Sequence, residues 1–403
     1  GGRGAAPPAP CEPEEEGEEV ADVAAKVELW HCQDGQVTAA SEPEAEREEA
    51  KLGCCSEGPP AAPAEPEAEE EPAPRPPRPP WPRDVEDDPV GAWRRAVGAL
   101  WLCATGEELE ELEELRDLMT DDILVQSRCE LVEEGERPVL VTAPHSMYLL
   151  RDGQVPHVVE DYTAEIARSI ARELSGSWLS WNCVERRRSE LLWSLAKHRG
   201  TIAGALLDPR NRDPNYLSTA ELASNAWFQE MLGAAMGWRG RFGHGKASLH
   251  VDVHGCRNPP STPSHLTIGL GAMQLQAERR GELVGPSEAE VFGEVLEAEL
   301  TAVLAPLSTR LRPRAPLVNV VLKVNSSSKF AGTCKPETRR HTQSQQAINF
   351  AGFTHSVQLE MSKALRRALL QNPTAALRFG NALRSAWAQS ICLRGEDAQR
   401  EPP

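Results

Sequence analysis

The chain has no Cys-x-x-Cys pair. Its ten cysteines are scattered and only Cys54 and Cys55 are adjacent, which excludes a cysteine-ligated metal knuckle and a spaced disulfide framework. It has no apolar run approaching the roughly 20 residues that cross a bilayer. Clustered positive charge is missing too: 43 Lys and Arg face 61 Asp and Glu, for a net charge of −18. Neither electrostatic nucleic-acid binding nor attachment to a membrane surface is expected without such clusters. The expectation is a soluble protein with reduced thiols, in the cytoplasm.

What is present divides sharply. Residues 1–90 read as a disordered acidic Pro/Glu-rich segment, in runs such as EPEEEGEE and RPPRPPWPR, because such sequence buries too little apolar surface to offset its chain entropy. The stretch VADVAAKVELWHCQ (20–33) is the one less polar interruption, and PRPPRPP reads as an extended spacer, with docking to a protein partner as the alternative. Residues 91–136 form a helical lead-in, with Leu109, Leu112, Leu115 and Leu118 recurring every three positions. Residues 137–392 form the main domain, and 393–403 a disordered C-terminus.

Within the main domain short β-rich runs alternate with amphipathic stretches, which points to an α/β fold, a single mixed sheet with helices on both faces. The expected strands are 138–143, 177–184, 201–207, 247–254, 264–271, 316–324 and 354–360. The expected helices are 160–175, 186–198, 219–236, 287–305 and 361–388, and the polar stretch 325–346 reads as a long loop.

Ligands of open α/β sheets collect beyond the carboxyl ends of strands. Polar residues follow four of the runs: Pro144, His145 and Ser146; Asp208, Asn211 and Arg212; Asp252, His254 and Gly255; and Glu360. Two imidazoles and a carboxylate can bind zinc and leave a position open for water. Asp252 and His254 are two apart on a strand and face the same side, so the carboxylate can orient the imidazole. Glu360 suits a general base, and Arg212 with Asn211 a clamp for a substrate carboxylate. Taken singly, each has an ordinary structural explanation as a strand-end polar residue, a turn or a helix-start carboxylate. Cys256 reads as a structural thiol rather than a nucleophile; His157, His244, His250 and His265 could add ligands, His250 equally well as a core or supporting residue; and Arg186, Arg187 and Arg188 read as a solvated helix face.

The ordered set PHS (144–146), DPRNRDPNY (208–216), DVHG (252–255) and HSVQLEMSKALRRAL (355–369) resembles the N-formylglutamate amidohydrolase family, within the zinc carboxypeptidase-like hydrolases. The resemblance covers roughly residues 137–388. It implies a carboxypeptidase-like fold, one zinc ion held by His145 and His254, a carboxylate clamp at Asn211 and Arg212, and a catalytic carboxylate at Glu360. The implied activity is hydrolysis of an amide C–N bond in a small carboxylate-bearing N-acyl amino acid. Two departures stand out: the Asp208 turn is one residue longer than the family spacing, and Tyr148 stands three after His145, where zinc carboxypeptidases place a ligand Glu. The third ligand must then come from elsewhere. Asp161 is preferred, with Glu160 as the alternative. A peptide-cutting carboxypeptidase and a non-catalytic binding module on the same fold remain as rival expectations.

Overall fold

A computed structural model describes residues 89–399, apart from 101–103, 105, 120–127, 134, 152–154, 200–203, 205, 244–245, 260, 282–285, 309–310, 312–314, 324–329 and 335–337. The acidic segment up to residue 88, with its 20–33 stretch and proline runs, lies outside the described residues, as does His244.

Seven strands make one mixed sheet: β1 (Cys129–Glu133), β2 (Val139–Thr142), β3 (Ser177–Trp181), β5 (Leu249–Cys256), β6 (Leu266–Gly269), β7 (Val318–Val321) and β9 (His355–Ser362), in the order β1-β3-β2-β5-β9-β6-β7. Strands β3, β2, β5 and β9 run parallel, β1 is antiparallel to β3, and β6 is antiparallel to β9. Two-residue strands β4 (Leu217–Ser218) and β8 (Arg340–His341) pair apart from it.

The period of two along each strand separates two cores. Val139, Val141, Val251, Val253, Val357 and Leu359 point to one face, against helices α3 (Thr163–Leu174), α8 (Glu288–Leu304) and α11 (Pro373–Gln399). Leu140, Leu179 and Trp181 point to the other, against Trp227, Met231 and Trp238 of α6 (Ala226–Phe242). Helices therefore cover both faces, as expected. The lead-in supplies a third layer: α1 (Pro89–Leu100) and α2 (Gly106–Leu118) bury Trp93, Val97, Leu112 and Leu115 against Leu191, Leu192 and Leu195 of α4 (Cys183–His198).

On the α6 side the apolar row gives way to polar residues toward the strand ends. Thr142 pairs in register with Asp252, and His250, Asp252 and His254 of β5 lie beside Ser356, Gln358 and Glu360 of β9. Buried polar groups persist where they are hydrogen-bonded. The Thr142 hydroxyl donates to Asp252 Oδ1 at 2.9 Å, while the His250 ring bridges Thr142 Oγ1 (3.0 Å) and Ser356 Oγ (2.8 Å).

Several expectations are corrected. Strand 177–184 stops at Trp181, because Asn182 caps α4 by accepting the Glu185 amide at 2.8 Å. The expected strand 201–207 is not one at its described residues: Gly204 has φ 89°, and Leu206 and Leu207 lie in turns. The 219–236 helix is two, α5 (Thr219–Leu222) and α6, the latter capped by Asn225 accepting from the Phe228 amide at 3.0 Å. The 361–388 helix divides into α10 (Lys363–Leu370) and α11, which begins at Pro373, a residue without an amide hydrogen to continue the first helix. Helix α11 runs to Gln399, past the boundary expected at 392. The lead-in is not purely helical, since β1 within it joins the sheet edge. Helix α7 (Gly271–Arg280) directly follows β6, and the 325–346 stretch holds β8 and the short helix α9 (Gln343–Gln346).

Phe292 of α8 is fully buried, whereas Leu109 of α2 is 41% exposed. Replacing Phe292 by Ala is expected to cost about 3–5 kcal/mol in denaturant unfolding, and Leu109→Ala within about 0.5 kcal/mol.

Candidate metal centre

His145, Glu160 and His254 come together from three elements. His145 lies in the turn after β2, Glu160 precedes α3, and His254 sits near the end of β5. One ligand atom from each lies within 4.8 Å of the others, and all three residues are buried. His145 Nδ1 is 3.0 Å from Glu160 Oε1 and 3.0 Å from His254 Nδ1, and His254 Nδ1 is 3.7 Å from the second Glu160 oxygen. The same Glu160 oxygen accepts the Gly255 amide at 2.7 Å, fixing the carboxylate between the two strand ends.

The far side of each ring is also occupied. His145 Nε2 meets Asp213 Oδ1 at 2.9 Å, and His254 Nε2 meets Asp252 Oδ2 at 2.8 Å. A carboxylate accepts only, so each neutral ring carries its hydrogen on Nε2. In that tautomer both Nδ1 lone pairs face one another 3.0 Å apart beside Glu160, an arrangement satisfied by a metal ion between them and also by a single shared proton. Tetrahedral ligands about 2.1 Å from zinc stand roughly 3.4 Å apart, and the three separations here bracket that spacing. The donor set of two imidazoles and a carboxylate fits a zinc ion.

Electrostatics point the same way. Burial opposes charge on His145, but Asp213 and Glu160 outweigh it and push the imidazole up to about 9. His254 is likewise buried yet raised well above its ordinary value by Asp252 and Glu160. Glu160 is held well below the carboxylate range despite burial, mainly by His145. The pocket is built to hold positive charge.

Glu360 lies beside His254 in the β5–β9 register, and its Oε1 accepts from Gln358 Nε2 at 2.7 Å. Burial, with the Glu160 charge added, pushes it up to about 7 against the opposing pull of His254. A carboxyl that exchanges its proton near neutrality can serve as general acid and base.

The structure redistributes the other expected roles. Glu160, the alternative, joins the cluster, whereas the preferred Asp161 pairs with Lys363 at 3.2 Å with 42% of its side chain exposed. Glu160 and Asp161 precede the helix rather than open it, since α3 starts at Thr163, whose hydroxyl donates to the Glu160 carbonyl at 2.8 Å. Asn211 and Arg212, expected as a clamp, are each turned to a glutamate: Asn211 Nδ2 donates to Glu185 at 3.3 Å, and Arg212, 53% exposed, pairs with Glu221 at 3.6 Å. What this turn sends to the cluster is Asp213, which sequence reasoning missed. Its only local signal is an Asp-Pro-Asn turn, closed by the Asn215 amide donating to Asp213 Oδ1 at 2.9 Å.

Asp208, displaced by the longer turn, anchors a separate network. Its carboxylate accepts from Arg128 (2.7 Å), Arg188 (3.1 Å) and Arg210 (2.6 Å), and Glu185 also receives Arg128 and Arg188. Arg188, expected on a solvated face, is fully buried there, whereas Arg186 and Arg187 pair outside with Glu165 and Glu114. His157 stacks on His145 with centroids 3.8 Å apart. Burial, reinforced by Glu360, pushes the Cys256 thiol up to about 12, so it is no thiolate nucleophile.

No family model matches the chain, and no curated protein matches it either. Among solved structures it is similar to a bacteriophage poly-gamma-glutamate hydrolase (14% identity, 70% of this chain and 97% of that one, TM-score 0.34). It is also similar to the succinylglutamate desuccinylase of Chromobacterium violaceum (14%, 64% and 67%, TM-score 0.32) and to the N-formylglutamate amidohydrolase of Ralstonia eutropha JMP134 (15%, 64% and 99%, TM-score 0.27). Among the described residues, no helix is long and apolar enough to cross a membrane.

The Asp208 network sets a pH dependence of stability. Burial disfavours its charge, but Arg210 and Arg128 prevail and hold the carboxyl below its ordinary range. A lowered folded value stabilises fully above the ordinary aspartate pKa of about 4 and is lost as pH falls through the folded value. Asp208→Asn is therefore expected to destabilise by about 3–5 kcal/mol at pH 7. In denaturant titrations the gap from wild type should narrow as pH falls below about 4.

Proposed function

We propose that the chain is a zinc-dependent hydrolase that cleaves an amide C–N bond in a small, carboxylate-bearing N-acyl amino acid. The observation that carries the reading is the pair of imidazole Nδ1 atoms facing each other at 3.0 Å beside Glu160, each ring held from behind by a carboxylate. What favours a divalent ion over a single shared proton is the number of buried carboxylates, Glu160, Asp213 and Asp252, around the two rings.

His145, Glu160 and His254 would hold the ion. When bound, it supplies Lewis acidity toward a carbonyl oxygen and toward water. The rest is done by this chain's own side chains. Asp213 and Asp252 fix ring orientation and keep the Nδ1 lone pairs directed inward. Glu360 takes a proton from the attacking water and returns it to the departing nitrogen, a shuttle for which a carboxyl near 7 is matched. Gln358 holds the Glu360 carboxylate by its 2.7 Å hydrogen bond and so sets the direction from which it works. Glu160 would supply the acidic ligand whose absence after His145 supports a non-catalytic binding module, and so weakens that rival.

Purified full-length protein is expected to hold one zinc per chain by elemental analysis, and His145→Ala and His254→Ala to lose it. Zinc-free wild type, or variants that keep their zinc, would refute the ligand set. Asp213→Asn is expected to weaken zinc binding about 10–100-fold in a competition titration. Glu360→Gln should retain zinc while hydrolysis of N-formyl and N-acetyl amino acids falls about 10²–10⁴-fold; an equal rate would remove Glu360 from the reaction.

A further inference from the structure

Next to the metal cluster stand Arg151 and Tyr216, two residues to which no role has been assigned so far. Arg151 follows the turn that carries His145, and its Nε donates to Asp213 Oδ2 at 2.6 Å. The other Asp213 oxygen is the one on His145 Nε2. One carboxylate therefore ties the guanidinium to the ring of His145 and fixes its position. The two terminal nitrogens of Arg151 make no hydrogen bond among the described residues, and a quarter of its side chain is exposed. A planar fork held at one edge and open at the other matches the two oxygens of a carboxylate.

Tyr216 bounds the same place. The Arg151 guanidinium lies 5.6 Å from the centroid of its ring. Its backbone is left-handed, φ 72°, a conformation unfavourable for a residue with a Cβ and kept only where the surroundings enforce it. The enforcing contacts are identifiable. The Tyr216 amide donates to the His341 carbonyl at 3.0 Å, Arg340 Nη1 donates to the Tyr216 carbonyl at 2.8 Å, and Leu217 pairs with His341 in the β4–β8 ladder. Strain maintained by three separate contacts, beside a guanidinium held through Nε with its terminal nitrogens open, is what a preorganised ligand site requires. The neighbouring arginines do not compete for the anion, because Arg212 and Arg340 both lie against Glu221.

We propose that Arg151, seated on Asp213 and backed by the Tyr216 ring, is the receptor for the substrate's carboxylate. The proposal rests on the hydrolase reading for the word substrate, but the anion site itself does not need the reaction to occur. It places the recognised carboxylate beside His145, and so selects acyl amino acids with a free acid over their neutral amides.

The test separates the two readings. Full-length protein carrying Glu360→Gln, so that no probe is consumed, is titrated calorimetrically with N-acetyl-L-glutamate and with its diamide, an isostere lacking both carboxylates. We expect at least a tenfold preference for the acid, falling to within about twofold when Arg151→Ala is added and partly kept by Arg151→Lys. Tyr216→Ala should reduce the preference several-fold. Equal binding of the two probes by the parent, or an unchanged preference in Arg151→Ala, would overturn the proposal. So would a loss of the same factor for both probes, since that is what mere support of Asp213 predicts. Zinc content and turnover of the otherwise wild-type protein are read separately, so a protein that binds the acid selectively yet hydrolyses nothing would defeat the hydrolase reading and leave the anion site standing.

Discussion

Two imidazole nitrogens brought within 3.0 Å of each other organise this molecule. Nothing in the folding of an α/β sheet brings His145 and His254 face to face; neighbouring strands would be equally well joined by valines. Each ring is turned by a carboxylate on its outer nitrogen, and each carboxylate is itself tied down, Asp252 by the Thr142 hydroxyl and Asp213 by Arg151 and the Asn215 amide. Burying four carboxylates and two imidazoles in one place is costly unless a positive charge compensates them, and that requirement explains the polar row cut into an otherwise apolar sheet face.

The supporting parts follow from this constraint. A Cβ at Gly255 would displace the tip of the Arg366 side chain, and the Gly255 amide is close enough to hold Glu160. The 208–216 turn is pinned at both ends. At one end Asp208 is gripped by three arginines from β1's flank, α4 and the turn itself. At the other, Gln343 and Gln346 of α9 donate to the Pro214 carbonyl, while Asn215 accepts the Gln343 amide at 3.0 Å. Asp213, between these anchors, is delivered to His145 as a fixed group. Helices α1 and α2 stabilise the first anchor, with the Trp93 indole donating to the Leu206 carbonyl at 2.7 Å and its ring lying 5.7 Å from Arg188.

The central strands were legible from sequence because their residues are buried on both faces and bounded by turns, as in VLVT of β2 and the run ending in DVH of β5. Edge strand β1 was not, since CELVE carries charge and only one buried residue. The stretch TIAGALL has the composition of a strand, but Gly204 takes a positive φ and turns the chain toward Trp93, a tertiary decision invisible in local pattern. At the site, His145, His254, Asp252 and Glu360 stood at strand ends, where position alone marks them. Glu160 and Asp161 are adjacent carboxylates that local sequence does not separate, and it is Glu160 that faces the Gly255 amide and the two imidazoles. Asp213 and Arg151 lie in irregular chain, where no periodicity predicts direction.

The two glutamates show how one pocket can assign opposite roles to the same side chain. Both are buried, and burial by itself would raise both. Glu160 sits between the imidazoles, receives the Gly255 amide, and is held ionised. Glu360, on β9 beside His254, accepts the Gln358 side-chain amide, feels the Glu160 charge as a neighbour of like sign, and rises to about 7. The first can neutralise a cation and the second can hand over a proton. Carboxyls pushed apart in this way mark an acid–base assignment, and here the separation follows from position relative to two rings rather than from any difference in the residues themselves.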